Sequence, residues 1–384
     1  MTSWKTYKLG NVTTITTGFP FKGDLYSKNG IRVLRGENIG DEELRWDGHR
    51  DKRWNLPFER INEYSLQDGD VILAMDGNVG KNKARITDKD LPMLIAQRVA
   101  CIRANTLSDQ KFLYYAIISR AFQQYLDSVK TGTTIQHISM KQIADYEISL
   151  PSLEEQRRIA GILGAIDDKI ENNRRINDNL EQQAQALYKQ WFVDSSTVKL
   201  GDVVKTTSGG TPSRSHMEFY VGKYGWVKSK ELNSSFITKT EETITDDAIA
   251  KSAAKLLPAK SILIAMYGAT VGQYAILSQP MTCNQAVCAL LPNENYPYTY
   301  LFMEAKNIKE ELANKAIGSA QQNISQVIIK DIDISSDIEK IKQFHKIVCP
   351  HFEVMEKNQK ENETLATIRD TLLPKLMNGE IKTE

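Results

Sequence analysis

Residues 8–12 read KLGNV, and residues 199–203 read KLGDV. An opening that returns after about 190 residues marks internal duplication, and the match extends well past five letters. LQDGDVILAMDGNVG (66–80) meets LPAKSILIAMYGATVG (257–272), each an apolar, strand-like run that ends in a glycine loop. Further on, AQR (96–98) meets NQA (284–286), and GTTIQHIS (132–139) meets GSAQQNIS (318–325). The order of the matches is the same in both copies, which chance alignment rarely preserves.

Each copy is followed by a helix with a start signal. SLEE (152–155) and SDIE (336–339) fit the capping box, in which a serine hydroxyl and the glutamate three residues on satisfy free backbone amides. Downstream of the first, Ile159, Leu163, Ile166, Ile170, Asn173, Asn177, Leu180, Ala184, Leu187 and Trp191 alternate four and three residues apart, as a coiled-coil seam does. The second helix carries Phe344, Val348, His351, Met355, Asn358, Asn362, Leu365, Arg369, Leu372 and Leu376. Paired asparagines at mid-seam in both helices favour the register in which they meet each other, so the two helices are expected to pair. Antiparallel pairing relates the halves by an approximate twofold. The expected fold is α+β: two mixed globular domains separated by two long helices that form an antiparallel coiled coil, a pseudo-twofold repeat shaped as a dumbbell. A rod of about 33 residues would be on the order of 50 Å long.

Composition bounds what such a chain does. With 384 residues, 41% hydrophobic and 25% charged, it can bury more than one core. No apolar run nears the roughly 18 residues of a membrane span, and MTSWKTYKLG lacks a signal-peptide core, so a cytoplasmic location is expected. Cys101, Cys283, Cys288 and Cys349 make neither a disulfide framework nor a zinc spacing, and reduced, mostly buried thiols are expected. The net charge of +1 supplies no global basic field, so any polyanion binding rests on local placement.

The helix ends read LYKQWFVD (187–194) and LLPKLMNGEI (372–381), and the first helix opens with LPSLEEQRRIAGIL (150–163). In this order, with a globular domain before each helix, these stretches resemble the specificity subunit of type I restriction-modification enzymes over nearly the whole chain. The resemblance implies a first target recognition domain at 1–150, a central conserved helix at 151–196, a second target recognition domain at 197–336 and a C-terminal conserved helix at 337–384. Each domain would read half of a bipartite target in double-stranded DNA. The helices would dock two methyltransferase subunits and, in the full complex, two restriction subunits. No cofactor or membrane is implied. One departure is visible: SSDIEKIKQFHKIV (335–348) lacks the proline and the Glu-Gln pair of the first helix start.

Base reading needs arginine, lysine, asparagine or glutamine at groove depth, on loops that approach phosphate closely. DGNVGKNKAR (76–85) offers Gly77 and Gly80 for close approach, Lys81, Lys83 and Arg85 for charge, and Asn78; a solvated hairpin with ordinary surface lysines fits it equally. Lys130, Thr133, Thr134 and Gln136 form a second candidate set, with Ser319, Gln321 and Gln322 as counterparts. Gln97 and Arg98 form a third, against Gln285 and Ala286, while Gly268, Thr270 and Gly272 answer the first loop. Shared positions, such as Gly80 with Gly272 and Gln97 with Gln285, suit the scaffold or the DNA backbone. Differing ones, such as Asn78 against Ala269 and Thr270, or Arg98 against Ala286, are free to read bases, so the target is expected to be asymmetric. Tyr188, Trp191 and Phe192 share one helix face and either plug the junction with the second domain or contact a partner; Leu372, Leu373 and Leu376 play the matching part.

Catalytic machinery is not evident. GNVGK (77–81) is too short between its glycines for a phosphate-cradling loop, and NLPF (55–58) lacks the middle proline of the amino-methyltransferase motif it glances at. His345, Cys349 and His351 do not share one helical face for a metal, and Asp68 with Asp70 is better explained by turn chemistry. The chain is therefore expected to be a non-catalytic specificity subunit. A duplicated scaffold that binds no DNA, or a hydrolase with a site between the domains, would leave the helix motifs unexplained.

Overall fold

The two KLG stretches begin their modules with the same device. In a computed structural model, which describes residues 4–57, 59–132, 134–192, 195–316 and 323–383, the strand Lys5–Lys8 runs into a one-turn helix, Leu9–Val12, and Thr197–Lys199 runs into Leu200–Val203. Leu9 and Leu200 are both fully buried. The Leu9 amide donates to the Tyr146 carbonyl at 2.7 Å and the Leu200 amide to that of Ile332 at 2.8 Å. Each opening strand pairs antiparallel with the strand that closes its module, Glu147–Leu150 in one case and Asp333–Ser335 in the other. The pentapeptide recurs because it pins the start of a module to its end.

Two further sheets lie between these ends. In the first module Thr13–Thr17, Val99–Ala104, Val71–Ala74 and Lys83–Arg85 form an antiparallel sheet in that order. A three-stranded sheet joins Arg53–Trp54, Ile31–Leu34 and Met93–Ile95. In the second module the larger sheet runs Lys205–Ser208, Val287–Leu291, Ile262–Ala265, Tyr274–Leu277, Phe236–Ile237. The smaller runs Thr243–Ile244, Tyr224–Val227, Thr282–Cys283. The runs VILA and ILIA show no alternation because every one of their side chains is buried, so both faces of these central strands are covered.

The two long helices, Leu153–Phe192 and Ile338–Met377, have 40 residues each. The chain forms two compact units, Met1–Asp168 with Leu365–Glu384, and Lys169–Thr364, so each unit includes part of both helices. In the first, Ile159, Leu163, Leu373 and Leu376 enter one core with Phe112 and Tyr115. Arg369 reaches Asp167 at 3.1 Å and Glu42 at 3.4 Å, while the Tyr115 hydroxyl donates to Asp167 at 2.6 Å. In the second, the asparagines meet as expected. Asn173 donates to Asn362 at 2.9 Å, and Asn358 donates to Asn177 at 2.9 Å. Residue numbers that rise on one helix as they fall on the other make the pairing antiparallel.

The helix starts differ from one another. Ser152 accepts from the Glu155 amide at 3.3 Å, but the Glu155 carboxylate turns to Arg158 at 2.9 Å and Thr383 at 2.7 Å instead of closing the box. The second helix is capped by Asp337, not by Ser336: its carboxylate accepts from the Lys340 amide at 3.0 Å. A carboxylate there serves the free amides and the positive helix end together, and Ser336 is left to pair with Ser196 at 2.8 Å. All four cysteines are free, three of them buried, and burial pushes the Cys101 thiol up to about 12. Among the described residues no helix is long and apolar enough to cross a membrane.

Candidate nucleic-acid interface

Three stretches distant in sequence converge beyond the end of Val71–Ala74. The Met75 amide donates to the Arg98 carbonyl, the Ile138 amide to the Met75 carbonyl, and the Gly77 amide to the Gln136 carbonyl, each at 2.9 Å. Asp76 forms a β-bridge with His137, and its carboxylate lies 3.6 Å from Arg98 Nε. The three candidate sets of this module therefore share one surface, built on main-chain hydrogen bonds. The second module repeats the pattern. Met266 donates to the Ala286 carbonyl at 2.8 Å, Ile324 donates to that of Met266 at 2.9 Å, and Tyr267 bridges Asn323.

The shared glycines are a backbone requirement. Gly80 and Gly272 adopt φ of +84° and +80°, and Gly77 and Gly268 are left-handed as well. A Cβ on Gly80 would come within 2.6 Å of the Gln123 amide, and one on Gly272 within 2.8 Å of the Lys309 carbonyl.

Not every candidate reaches the surface. Asn78, Lys81, Gln97, Arg98 and Thr134 are exposed, and Gln136 is half-buried. Lys83, expected at the interface, is buried at 5% exposure and its ammonium donates to the Gly80 carbonyl at 2.7 Å. It braces the loop from inside, and burial depresses its pKa. Arg85 is half-buried above the Tyr114 ring, 5.4 Å from its centroid, and Lys130 pairs with Asp127 at 2.6 Å. In the second module Gln285 is exposed and accepts from the Thr211 hydroxyl, while Gly268 and Thr270 are half-buried. Thr133, Ser319, Gln321 and Gln322 lie outside the described residues.

One segment at this surface was missed by the sequence reading. A Cβ on Gly18 would overlap the carbonyl oxygens of Ile95 and Ala96, and the Gln97 amide donates to Phe19 at 2.9 Å. In the other module Gly209 packs equally close on Cys283, and the Gly210 amide donates to the Cys283 carbonyl at 3.0 Å. A signal was available in TTGFP (16–20) and SGGTP (208–212), each with glycine shortly before proline, although Gly209 stands three residues before its proline and Gly18 two.

Charged groups elsewhere are largely matched by their own neighbours. Arg45 with Glu43 at 2.8 Å and Arg50 with Asp47 at 2.7 Å are local pairs. Arg214 grips Glu242 through two bonds of 2.9 and 2.8 Å and lies 4.0 Å from the Tyr220 ring centroid. That grip holds the Glu242 carboxyl down at about 2. Asp70, flagged as turn chemistry, accepts from the Gln67 amide at 2.8 Å and takes the Arg103 fork at 2.5 and 2.7 Å.

Of the helix-end residues, Tyr188 and Phe192 are buried in the core of the second unit, and Trp191 packs against it half-buried. Leu373 and Leu376 are buried in the first unit, with Leu372 at the edge. The buried members fill cores, and only Trp191 and Leu372 of the six keep part of their side chains at the surface. Among the described residues no group of three or more histidine, cysteine or acidic side chains could hold a metal. His345 is engaged with Thr299 at 2.9 Å.

Known proteins share this architecture. The model of the type I restriction modification DNA specificity domain matches residues 1–182 and 193–343. The type I restriction enzyme HindI specificity subunit of Haemophilus influenzae is 25% identical, the alignment covering 99% of this chain and 100% of that one. The MjaIX specificity subunit of Methanocaldococcus jannaschii is 27% identical, over 71% of this chain and 69% of its own. A crystal structure of the type I restriction-modification S subunit from M. genitalium superposes with a TM-score of 0.61 at 18% identity, covering 97% of this chain and 96% of that one. At that identity it speaks for the fold.

Proposed function

The chain belongs to the type I restriction-modification DNA specificity family, and from that membership we propose that each of its two modules reads one half of a split, asymmetric DNA target. The observation that carries this is the repeated convergence: Met75 and Met266 each tie a glycine loop to two other stretches through the same main-chain bonds. The side chains that emerge there differ between the modules. Shared backbone geometry suits phosphate contact, which positions a protein on the duplex, and unlike side chains suit base contact, which specifies sequence.

The left-handed glycines let main chain approach the duplex without a Cβ in between. Lys81 adds a cation at the loop surface, and Asn78, Arg98 and Thr134 in one module, with Thr270 in the other, are the side chains placed to reach groove edges, while the shared glutamines Gln97 and Gln285 suit the DNA backbone. The chain supplies recognition and no chemistry. Methyl transfer belongs to two methyltransferase subunits docked on the paired helices, in contact with the exposed edges of Trp191 and Leu372, and cleavage belongs to two restriction subunits in the full complex.

Co-expression with the methyltransferase subunit of the same system, followed by mapping of methylated positions in genomic DNA, tests the reading. Two unlike half-sites separated by unspecified base pairs are expected. A perfect palindrome, or methylation without a sequence motif, would overturn it.

A further inference from the structure

Two of the positions at which the modules differ are coupled. Asp76 and Tyr267 each follow the methionine that anchors the convergence, and Arg98 and Ala286 each supply the carbonyl that this methionine binds. One module therefore places a carboxylate and a guanidinium where the other places a phenol and a methyl. The backbone differs as well. Arg98 has φ of +66°, one of only three non-glycine residues with positive φ among the described residues, and Ala286 is not among them. A left-handed arginine is disfavoured by its own Cβ and persists only where the surroundings enforce it. The equivalent methionine bond holds Ala286 without a positive φ, so the left-handed arginine is a feature of the first module and not of the shared bond.

The result is a guanidinium aimed outward. The Arg98 side chain is 63% exposed and forms an ion pair with Asp76, whose Oδ2 lies 3.6 Å from Nε. A carboxylate 3.6 Å away, close enough for an ion pair but not a hydrogen bond, draws the Nε edge toward Asp76 and leaves the two Nη groups available as a fork, the geometry that matches guanine O6 and N7 in the major groove. Ala286 is buried and has no side-chain donor, while the Tyr267 ring is exposed.

We infer that Arg98 reads a guanine in the half-site of the first module, with Asp76 as its positioning residue, and that the second module has no guanine reader at the equivalent place. This rests on the DNA reading proposed above. A base, not a phosphate, is the partner because the position differs between modules that share their backbone framework, and because a phosphate contact needs charge but not a fixed fork.

Two variants test it in the complex with methyltransferase: Arg98→Gly, which suits a positive φ and removes the fork, and Arg98→Lys, which keeps the charge and loses the fork. The wild-type motif should contain a guanine whose preference falls roughly tenfold or more in both variants, the rest of the motif being kept. An unchanged motif in both rejects Arg98 as a reader while leaving the DNA reading intact. A uniform loss at all sites in Arg98→Gly that Arg98→Lys restores identifies a phosphate contact and overturns the inference. Absence of any motif in the wild-type complex rejects the DNA reading itself. If Arg98→Gly fails to fold, Arg98→Lys alone decides between retained and lost guanine preference.

Discussion

Lys81 and Lys83 lie two residues apart where the glycine loop enters the strand Lys83–Arg85, the first exposed to solvent and the second buried in the module. An exposed lysine at a DNA surface contributes counterion release, independent of sequence. Lys81→Ala is expected to weaken binding to all duplexes alike and to lower the salt slope by about one; Lys83→Met should leave that slope unchanged. Fluorescence anisotropy of the methyltransferase complex over a salt series checks both, and equal slopes for Lys81→Ala and wild type would remove Lys81 from the interface. A second residue-scale effect concerns Glu304, buried at 4% exposure where the Tyr300 hydroxyl donates to it. Burial pushes its carboxyl up to about 7. Because this folded value lies above that of the unfolded chain, the folded state holds the proton more tightly. Stability linked to Glu304 is therefore fully present below the unfolded pKa and is lost as pH rises toward 7, a change on the order of a few kcal/mol. Melting temperatures of wild type should fall relative to Glu304→Gln between about pH 4.5 and 7. Parallel curves would show that Glu304 ionises freely in the folded protein.

At the scale of elements, the helices were legible and the small sheets were not. A seam of alternating four and three residues with asparagines at its centre specifies both a helix and its partner, because a buried amide is satisfied only by another polar group in register. The strands Arg53–Trp54, Phe236–Ile237, Thr243–Ile244 and Thr282–Cys283 have two residues each, too few for any period to register. Their places are set by tertiary packing. The cap of the second long helix was misread by one residue for a related reason: Ser336 and Asp337 are both good caps, and sequence alone does not say where the helical dihedrals begin. The asparagine ladder carries a prediction of its own. Asn173, fully buried, donates to Asn362, so Asn173→Leu strands a polar partner and should cost about 1–3 kcal/mol. Adding Asn362→Leu should recover only the part of that loss that belongs to the amide pair, since Glu361 and Lys169, which also bond Asn173 at 2.8 and 3.0 Å, still lose their partner. A double-mutant cycle by chemical denaturation measures this, and additive losses would mean that the two amides do not depend on each other.

For the whole molecule, duplication was the feature the sequence declared most openly, and it led to the surface through residues that match between copies. What it left hidden was which members of that surface face outward: Lys83 reads like Lys81 in one dimension, and only its place in the strand Lys83–Arg85, with its ammonium on the Gly80 carbonyl, buries it. The difference between copies has a consequence for recognition. Each unit has its own core and its own converged loops, so a change at one surface leaves the main-chain framework of the other untouched. Penalties for altered base reading should then add. Arg98→Gly in the first module and Thr270→Ala in the second are each expected to relax the motif in a different half-site. The doubly substituted chain should show the sum of the two free-energy changes within about 0.5 kcal/mol, measured as relative methylation rates on targets altered in one half-site or both. A coupling well beyond that margin would mean that the modules do not read independently, and that base selection is shared across the duplicated chain.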